Sequence, residues 1–251
     1  MNLLVRCSGL KVETGQMRLV LFDIDGTLVW ADGAGRAAMK AALLRVYGTA
    51  GTVDTYDLGG RTIKEIVRDV MSEAGLPPEV TWDKFGQYCE ALTDDFQQRV
   101  RRNGHNIQPC PGAIELVSTL AARNDIVVGL LTGNLQTVSM LKLGAAGFDV
   151  NWFKVGSYGD KSDVRSDLLP LALEQAAMLT GVHLTGKQVV IVGDTAIDVT
   201  CGQGIGARSI GVLTGGGTQA ELLSAGADYV FRDLADIQAV LKAIYDPAPG
   251  E

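Results

Sequence analysis

The chain has little of what several protein classes require. Among 251 residues there are only four cysteines, Cys7, Cys89, Cys110 and Cys201, scattered without paired spacing. With no signal peptide in view they read as reduced thiols, which argues against both a disulfide framework and a zinc site. Basic residues are outnumbered, 22 to 29, giving a net charge of −7. A nucleic-acid binder normally presents a basic excess, so that role is not expected. No apolar run approaches the roughly 20 residues that span a bilayer, so no membrane partner is expected and a cytoplasmic location is. The two histidines, His105 and His183, stand apart from every motif and read as loop residues. Low-complexity tracts and internal repeats are also missing.

What remains is the composition of an ordinary globular chain, 47% hydrophobic and 20% charged, large enough for one big domain or two modest ones. The most informative stretch is Leu19-Val20-Leu21-Phe22-Asp23-Ile24-Asp25-Gly26-Thr27. Its apolar part reads as a short strand buried on both faces. A buried strand ending in two carboxylates is costly unless cations meet them. Further strands are predicted at 126–131, 189–192 and 208–213. Helical spacing between them, over 113–122, 168–179 and 235–244, makes βαβ units and a mostly parallel sheet. Residues 32–107 differ: three helical stretches (35–47, 62–74, 81–101), a break at Leu76-Pro77-Pro78 and no buried strand. The expected fold is therefore α/β, a three-layer Rossmann-like core over 17–31 and 108–251 with a small α-helical cap inserted at 32–107. Residues 1–16 read as an upstream extension or a misassigned start, and the Pro-rich end from Asp246 as a frayed tail.

Parallel strands deliver their carboxyl ends to one edge, where ligands collect. Here those ends carry Asp23 and Asp25, then Thr132-Gly133-Asn134, then Gly193-Asp194 with Asp198 four residues on. Lys161 and Arg165 lie between the last two as available cations. The residue types suit phosphoryl transfer. One carboxylate can attack phosphorus and split a hard step in two. A second can protonate the leaving oxygen and then activate water. Crowded carboxylates repel one another unless a divalent cation sits among them, and an all-oxygen ligand set suits Mg²⁺. Asp23 and Asp25 are expected to share a site through a bend of the chain just after Asp23, which Gly26 eases.

Asp23-Ile24-Asp25-Gly26-Thr27, Leu130-Leu131-Thr132-Gly133-Asn134 and Val192-Gly193-Asp194-Thr195-Ala196-Ile197-Asp198 resemble motifs one, two and four of the haloacid dehalogenase-like phosphohydrolases. The inserted cap is similar to that of the phosphoglycolate phosphatase and β-phosphoglucomutase branch. The resemblance implies Asp23 as nucleophile, Asp25 as general acid/base and Thr132 as phosphate binder, with Gly133 and Asn134 beside it. It implies Mg²⁺ on Asp23, Asp194 and the backbone carbonyl of Asp25, with Asp198 either behind these ligands or anchoring the basic residue. It implies a small phosphorylated metabolite as substrate, and a monomer or homodimer. Motif three departs from the pattern: Tyr158–Asp167 contains no Lys-Pro. Arg165 is the favoured cation and Lys161 the alternative. Arg61, at the glycine-rich start of a cap helix, and more weakly Lys64, are expected to clamp a second anionic group or the phosphate itself.

Competing readings are a phosphosugar mutase on the same scaffold and a binding module that has lost turnover. Haloacid dehalogenation fits poorly, since those relatives lack an acid/base where Asp25 stands. Phosphonate cleavage would need a cap lysine such as Lys40 or Lys64 to form a Schiff base. A receiver domain would be far shorter. Gly202, Gly204 and Gly206 read as close-packing residues of a helix over 198–206, and Gly215-Gly216-Gly217 as a flexible loop at the rim of the site.

Overall fold

The computed structural model describes residues 17–102 and 106–246. Residues 1–16 with Cys7, His105 and the tail beyond Asp246 lie outside the described residues. In chain order the first half runs β1 (Arg18–Phe22), β2 (Val29–Trp30), α1 (Ala34–Tyr47), α2 (Ile63–Glu73), α3 (Pro78–Asp83), α4 (Phe85–Arg101), β3 (Gln108–Pro109) and α5 (Ala113–Ala121). The second half runs β4 (Ile126–Thr132), α6 (Gln136–Ala145), β5 (Val155–Tyr158), α7 (Leu168–Thr180), β6 (Val189–Gly193), α8 (Ala196–Thr200), β7 (Arg208–Val212), α9 (Gln219–Ser224), β8 (Tyr229–Phe231) and α10 (Ile237–Tyr245).

Six strands form one sheet in the order β5-β4-β1-β6-β7-β8, every pair parallel. The central strands are buried on both faces, as a parallel sheet requires. Along β1, Val20 and Phe22 enter one apolar cluster with α5 and α10, while Leu19 and Leu21 enter another with α7. That is the two-residue period of a strand expressed as two core layers. Because Phe22 pairs with both Leu130 and Val192, the carboxyl ends of β1, β4 and β6 lie side by side, within two residues of one another. The strand order reverses around β1, so the crevice opens over these three ends.

Helices α1 to α4 build the inserted cap around their own core of Leu43, Met71, Tyr88, Leu92 and Phe96. Val138 of α6 and Leu135 at its N-cap join that core, so this helix belongs to both layers. The two chain crossings between sheet and cap pair with each other as an antiparallel ribbon, Val29 opposite Pro109 and Trp30 opposite Gln108.

Several elements differ from the sequence-based expectation. β5 and β8 were not expected because they are short, and Gly156 and Ser157 dilute the apolar signal of the first. The expected 81–101 helix is two, α3 and α4, separated at Lys84. The expected 198–206 helix is only α8 followed by a 3₁₀ turn at Gln203–Ile205, and Gly206 ends it at a φ of 67°. Gly202 is packed closely against Ile191, but Gly204 has open space around it. The described cysteines Cys89, Cys110 and Cys201 are free, and His183 is exposed in a loop. Among the described residues no helix is long and apolar enough to cross a membrane.

Leu43 is fully buried between the cap helices. Leu43→Ala leaves a cavity there and is expected to cost about 2–5 kcal/mol, measured as a lower midpoint in chemical denaturation.

Candidate active site

Strand pairing holds Asp23 in place: its backbone N–H donates to Val192 O at 2.9 Å. The chain then turns sharply, with Leu28 and Val29 N–H both donating to Ile24 O at 2.9 Å. Gly26 takes a φ of 80° in that turn, a conformation that side chains disfavour. A Cβ there would also lie 2.7 Å from both Asp194 Oδ2 and Gly215 Cα. The turn brings Asp23 and Asp25 to the same cleft, as the sequence required.

Arg165 stands in a 3₁₀ turn just before α7 and is 5% exposed. Its Nη2 lies 3.0 Å from Asp23 Oδ1 and 2.5 Å from Asp198 Oδ1, and donates to Leu131 O at 2.9 Å. Its Nη1 donates to Gly60 O at 3.0 Å, reaching the loop that leads into α2. Burial opposes the charge on this guanidinium, yet the Asp198 and Asp23 carboxylates outweigh it and move its pKa up. Asp198 spends its other oxygen on Thr195, accepting from the backbone N–H at 3.1 Å and from the hydroxyl at 2.6 Å. Thr195 and Asp198 thereby cap α8 reciprocally. Lys161, the alternative cation, is far more exposed, pairs with Asp160 at 2.8 Å, and lines a separate shallow cleft with Tyr158 and Leu171. That placement takes it away from the aspartates.

Asp194 is held from three sides. Thr27 Oγ1 donates to its Oδ1 at 3.1 Å, Gly216 N–H donates to its Oδ2 at 2.8 Å, and Gly217 N–H donates to its backbone carbonyl at 3.0 Å. The 215–217 glycines are thus a clamp rather than a flexible rim. A Cβ on Gly215 would fall 1.9 Å from Asp194 Oδ2, so only glycine allows this approach.

Asp25 meets a partner that the motifs did not announce. Lys142 Nζ donates to Asp25 Oδ1 and Oδ2 at 2.7 and 2.6 Å and to Asn134 Oδ1 at 2.8 Å. Asn134 Nδ2 donates to Asp25 Oδ2 at 2.7 Å and to Thr132 Oγ1 at 3.0 Å. Lys142 falls on the stripe Leu135, Val138, Lys142 of α6, an apolar spacing in which a lysine is anomalous. That anomaly was the available signal. Thr132 is fully buried beneath Asn134 and does not line the cleft. Gly133 does line it, and the carbonyl of Arg61 packs against its α-carbon where a Cβ would clash at 1.8 Å.

The cleft between core and cap has a volume of about 530 Å³. Asp23, Asp25, Asn134, Arg165 and Asp194 lie on its core side, and Met39, Leu58, Ile66 and Arg61 on its cap side. Arg61 is tied to Glu65 and lies over the Tyr56 ring at 5.3 Å. Lys64 lies over Trp82 and Phe85 instead, and Lys40 pairs with Asp54; neither lines the cleft.

Carboxylate oxygens of Asp23, Asp194 and Asp198 come within 4.8 Å of one another, an acidic cluster able to hold a metal ion. Asp198 turns its two oxygens to Arg165 and Thr195 and does not line the cleft, whereas Asp23 and Asp194 do. Burial raises Asp23 to about 6, against the pull of Arg165 and with help from Asp198 and Asp25. Burial, and then the charges of Asp23 and Asp198, raise Asp194 to about 7, against the hydrogen bonds from Gly216 and Thr27. One guanidinium does not neutralise three buried carboxylates, and a hard divalent cation on oxygen ligands fits the surplus.

Carboxylates on adjacent strand tips beneath a helical cap define a capped α/β enzyme. The chain belongs to the haloacid dehalogenase-like hydrolase family, whose model matches residues 17–206. Pyrophosphatase PpaX of Bacillus pumilus (strain SAFR-032) is 22% identical over 229 residues, 89% of this chain and 96% of that protein. A hydrolase from Pseudomonas syringae has a similar structure, with a TM-score of 0.65, 22% identity, and 90% of this chain and 98% of that one covered. A predicted phosphoglycolate phosphatase from Haemophilus somnus 129pt aligns with a TM-score of 0.60, 21% identity and coverage of 90% and 98%. Likeness at these identities speaks for the fold.

Both raised carboxyls lie above the unfolded value of about 3.9. The folded state therefore holds extra protons between about pH 4 and pH 7, and stability falls as pH rises through that window. With chelator present, the melting temperature is expected to drop from pH 5 to pH 8. Asp194→Asn should flatten that slope, and calorimetry at several pH values reads both. A wild-type melting temperature that climbs over this range would count against the buried surplus of charge.

Proposed function

We propose that the protein is a Mg²⁺-dependent phosphatase of small phosphorylated metabolites, working through an aspartyl-phosphate on Asp23. The observation that carries this reading is the state of Asp23. Its Oδ1 is pinned by Arg165, while its Oδ2 accepts no hydrogen bond from the described residues and the side chain lines the cleft. A carboxylate so held presents one oxygen to an incoming phosphorus.

The chemistry then divides between two aspartates. Asp23 attacks phosphorus as the ester oxygen leaves, and Asp25, which must enter this step protonated, gives that oxygen its proton. Asp25 next takes a proton from the water that attacks the aspartyl-phosphate, releasing inorganic phosphate and restoring Asp23. Arg165 balances charge beside the nucleophile. Asp23 and Asp194, with the backbone carbonyl of Asp25, would hold Mg²⁺, which supplies positive charge to the transferring phosphoryl group when bound. A cleft of about 530 Å³ suits a small ligand, and Met39, Leu58 and Ile66 give its cap side apolar surface beside Arg61. The binding-module reading rested on the missing Lys-Pro; Arg165 beside Asp23 supports turnover instead.

The test is phosphate release from a panel of phosphorylated metabolites, phosphoglycolate and sugar phosphates included, with Mg²⁺ and with EDTA. Release is expected only with Mg²⁺. Asp23→Asn, nearly isosteric, should lower kcat by at least about a thousandfold without unfolding the protein. Arg165→Lys should lose about a hundredfold, whereas Lys161→Ala should stay within about twofold of wild type, as an exposed residue outside the cleft. No release from any substrate by folded, Mg²⁺-supplied protein would overturn the proposal.

A further inference from the structure

Lys142 is 2% exposed. Burying an ammonium is costly unless it is paired. Its stem runs between layers: Nζ lies 5.8 Å from the centre of the Phe96 ring in α4, and a Cβ on Gly35 of α1 would be 3.5 Å from Nζ. Leu135 and Val138, on the same side of α6, pack into the cap core. If this position only filled space, a leucine or methionine would serve with no desolvation cost. What the charge contributes is at its tip. All three ammonium protons are committed, to both oxygens of Asp25 and to Asn134 Oδ1. Asn134 in turn closes the ring on Asp25 Oδ2. Asp25 itself has a half-exposed side chain facing the cleft, so without these donors nothing among the described residues fixes its rotamer.

We propose that Lys142 is a positioning residue for the acid/base carboxylate: with Asn134 it sets the orientation in which Asp25 faces the leaving-group oxygen. Its contacts with α1 and α4 make that orientation depend on a seated cap. The inference rests on the phosphatase reading and on Asp25 as the proton carrier. It assigns Lys142 no contact with the transferring phosphoryl group. A misplaced proton donor matters most when the leaving oxygen is strongly basic, because a weakly basic one departs without a proton.

The experiment compares alkyl phosphates with 4-nitrophenyl phosphate for wild type, Lys142→Met, Lys142→Arg and Asp25→Asn, and for the double variant Lys142→Met/Asp25→Asn. Formation of the phosphoenzyme is followed as a burst of released alcohol or nitrophenol. Lys142→Met is expected to slow formation about a hundredfold with alkyl phosphates and less than about tenfold with nitrophenyl phosphate, with KM little changed. Lys142→Arg should recover part of the alkyl loss. In the Asp25→Asn background Lys142→Met should add little, since it acts through Asp25. Equal losses on both leaving groups, a rise in KM alone, or losses that multiply in the double variant would each overturn the proposal. If Lys142→Met does not fold, Lys142→Arg decides: it must lose more on alkyl than on nitrophenyl phosphate. Wild-type protein that turns over no phosphomonoester would instead remove the phosphatase reading itself, so the two failures are distinct.

Discussion

The site depends on one buried ion cluster: the Arg165 guanidinium between Asp23 and Asp198. Four groups converge on it from different parts of the chain. Asp23 comes from the tip of β1, Leu131 O from β4, Asp198 from α8 behind β6, and Gly60 O from the loop into the cap. Removing one member of such a buried cluster strands the others, at a typical cost of about 3–5 kcal/mol. The same charge that steadies the strand tips also leaves the centre short of positive charge, with three carboxylates against one cation. The surplus shows in the raised carboxyls of Asp23 and Asp194. The charges that hold the strand tips together and the acidic cluster able to hold a metal ion are therefore the same few atoms.

Close backbone approach makes the cluster possible. The 215–217 loop lies against Asp194 with no side chain between them, and the turn at Gly26 leans on the same carboxylate. Thr214 Oγ1 donates to Gly26 O at 2.5 Å and Trp30 Nε1 donates to Thr214 O at 2.6 Å, so this clamp is continuous with the ribbon leading to the cap. Glycine here lets two loops share a volume that any Cβ would occupy.

The cap is docked onto the core by backbone contacts as well as apolar ones. Ile63 N–H donates to Gly133 O at 2.8 Å and Arg165 reaches Gly60 O. Helix α6 belongs to both layers, its apolar residues in the cap core and its lysine on Asp25. The cap core and the Asp25 carboxylate therefore share one helix. That is a physical route by which the seat of the cap can govern the chemistry beneath it.

Much of this was legible in the sequence for local reasons. A strand buried on both faces must be a continuous apolar run, so β1, β4, β6 and β7 declared themselves, and the polar residues ending the first three marked the edge where chemistry collects. Helical periodicity without a strand marked the insertion. The edge strands β5 and β8 escaped because a short, partly exposed strand carries little pattern. The placement of Arg165 beside the aspartates and of Lys161 away from them, the depth of Thr132, the glycine clamp on Asp194 and the grip of Lys142 on Asp25 were decided by tertiary structure. The reason is geometric. Sequence fixes which residues end a strand or line a helix face, since that is a matter of backbone period. Which distant face turns inward, and which charge meets which, follows only from packing those elements together, when burial makes each unpaired charge too costly to keep.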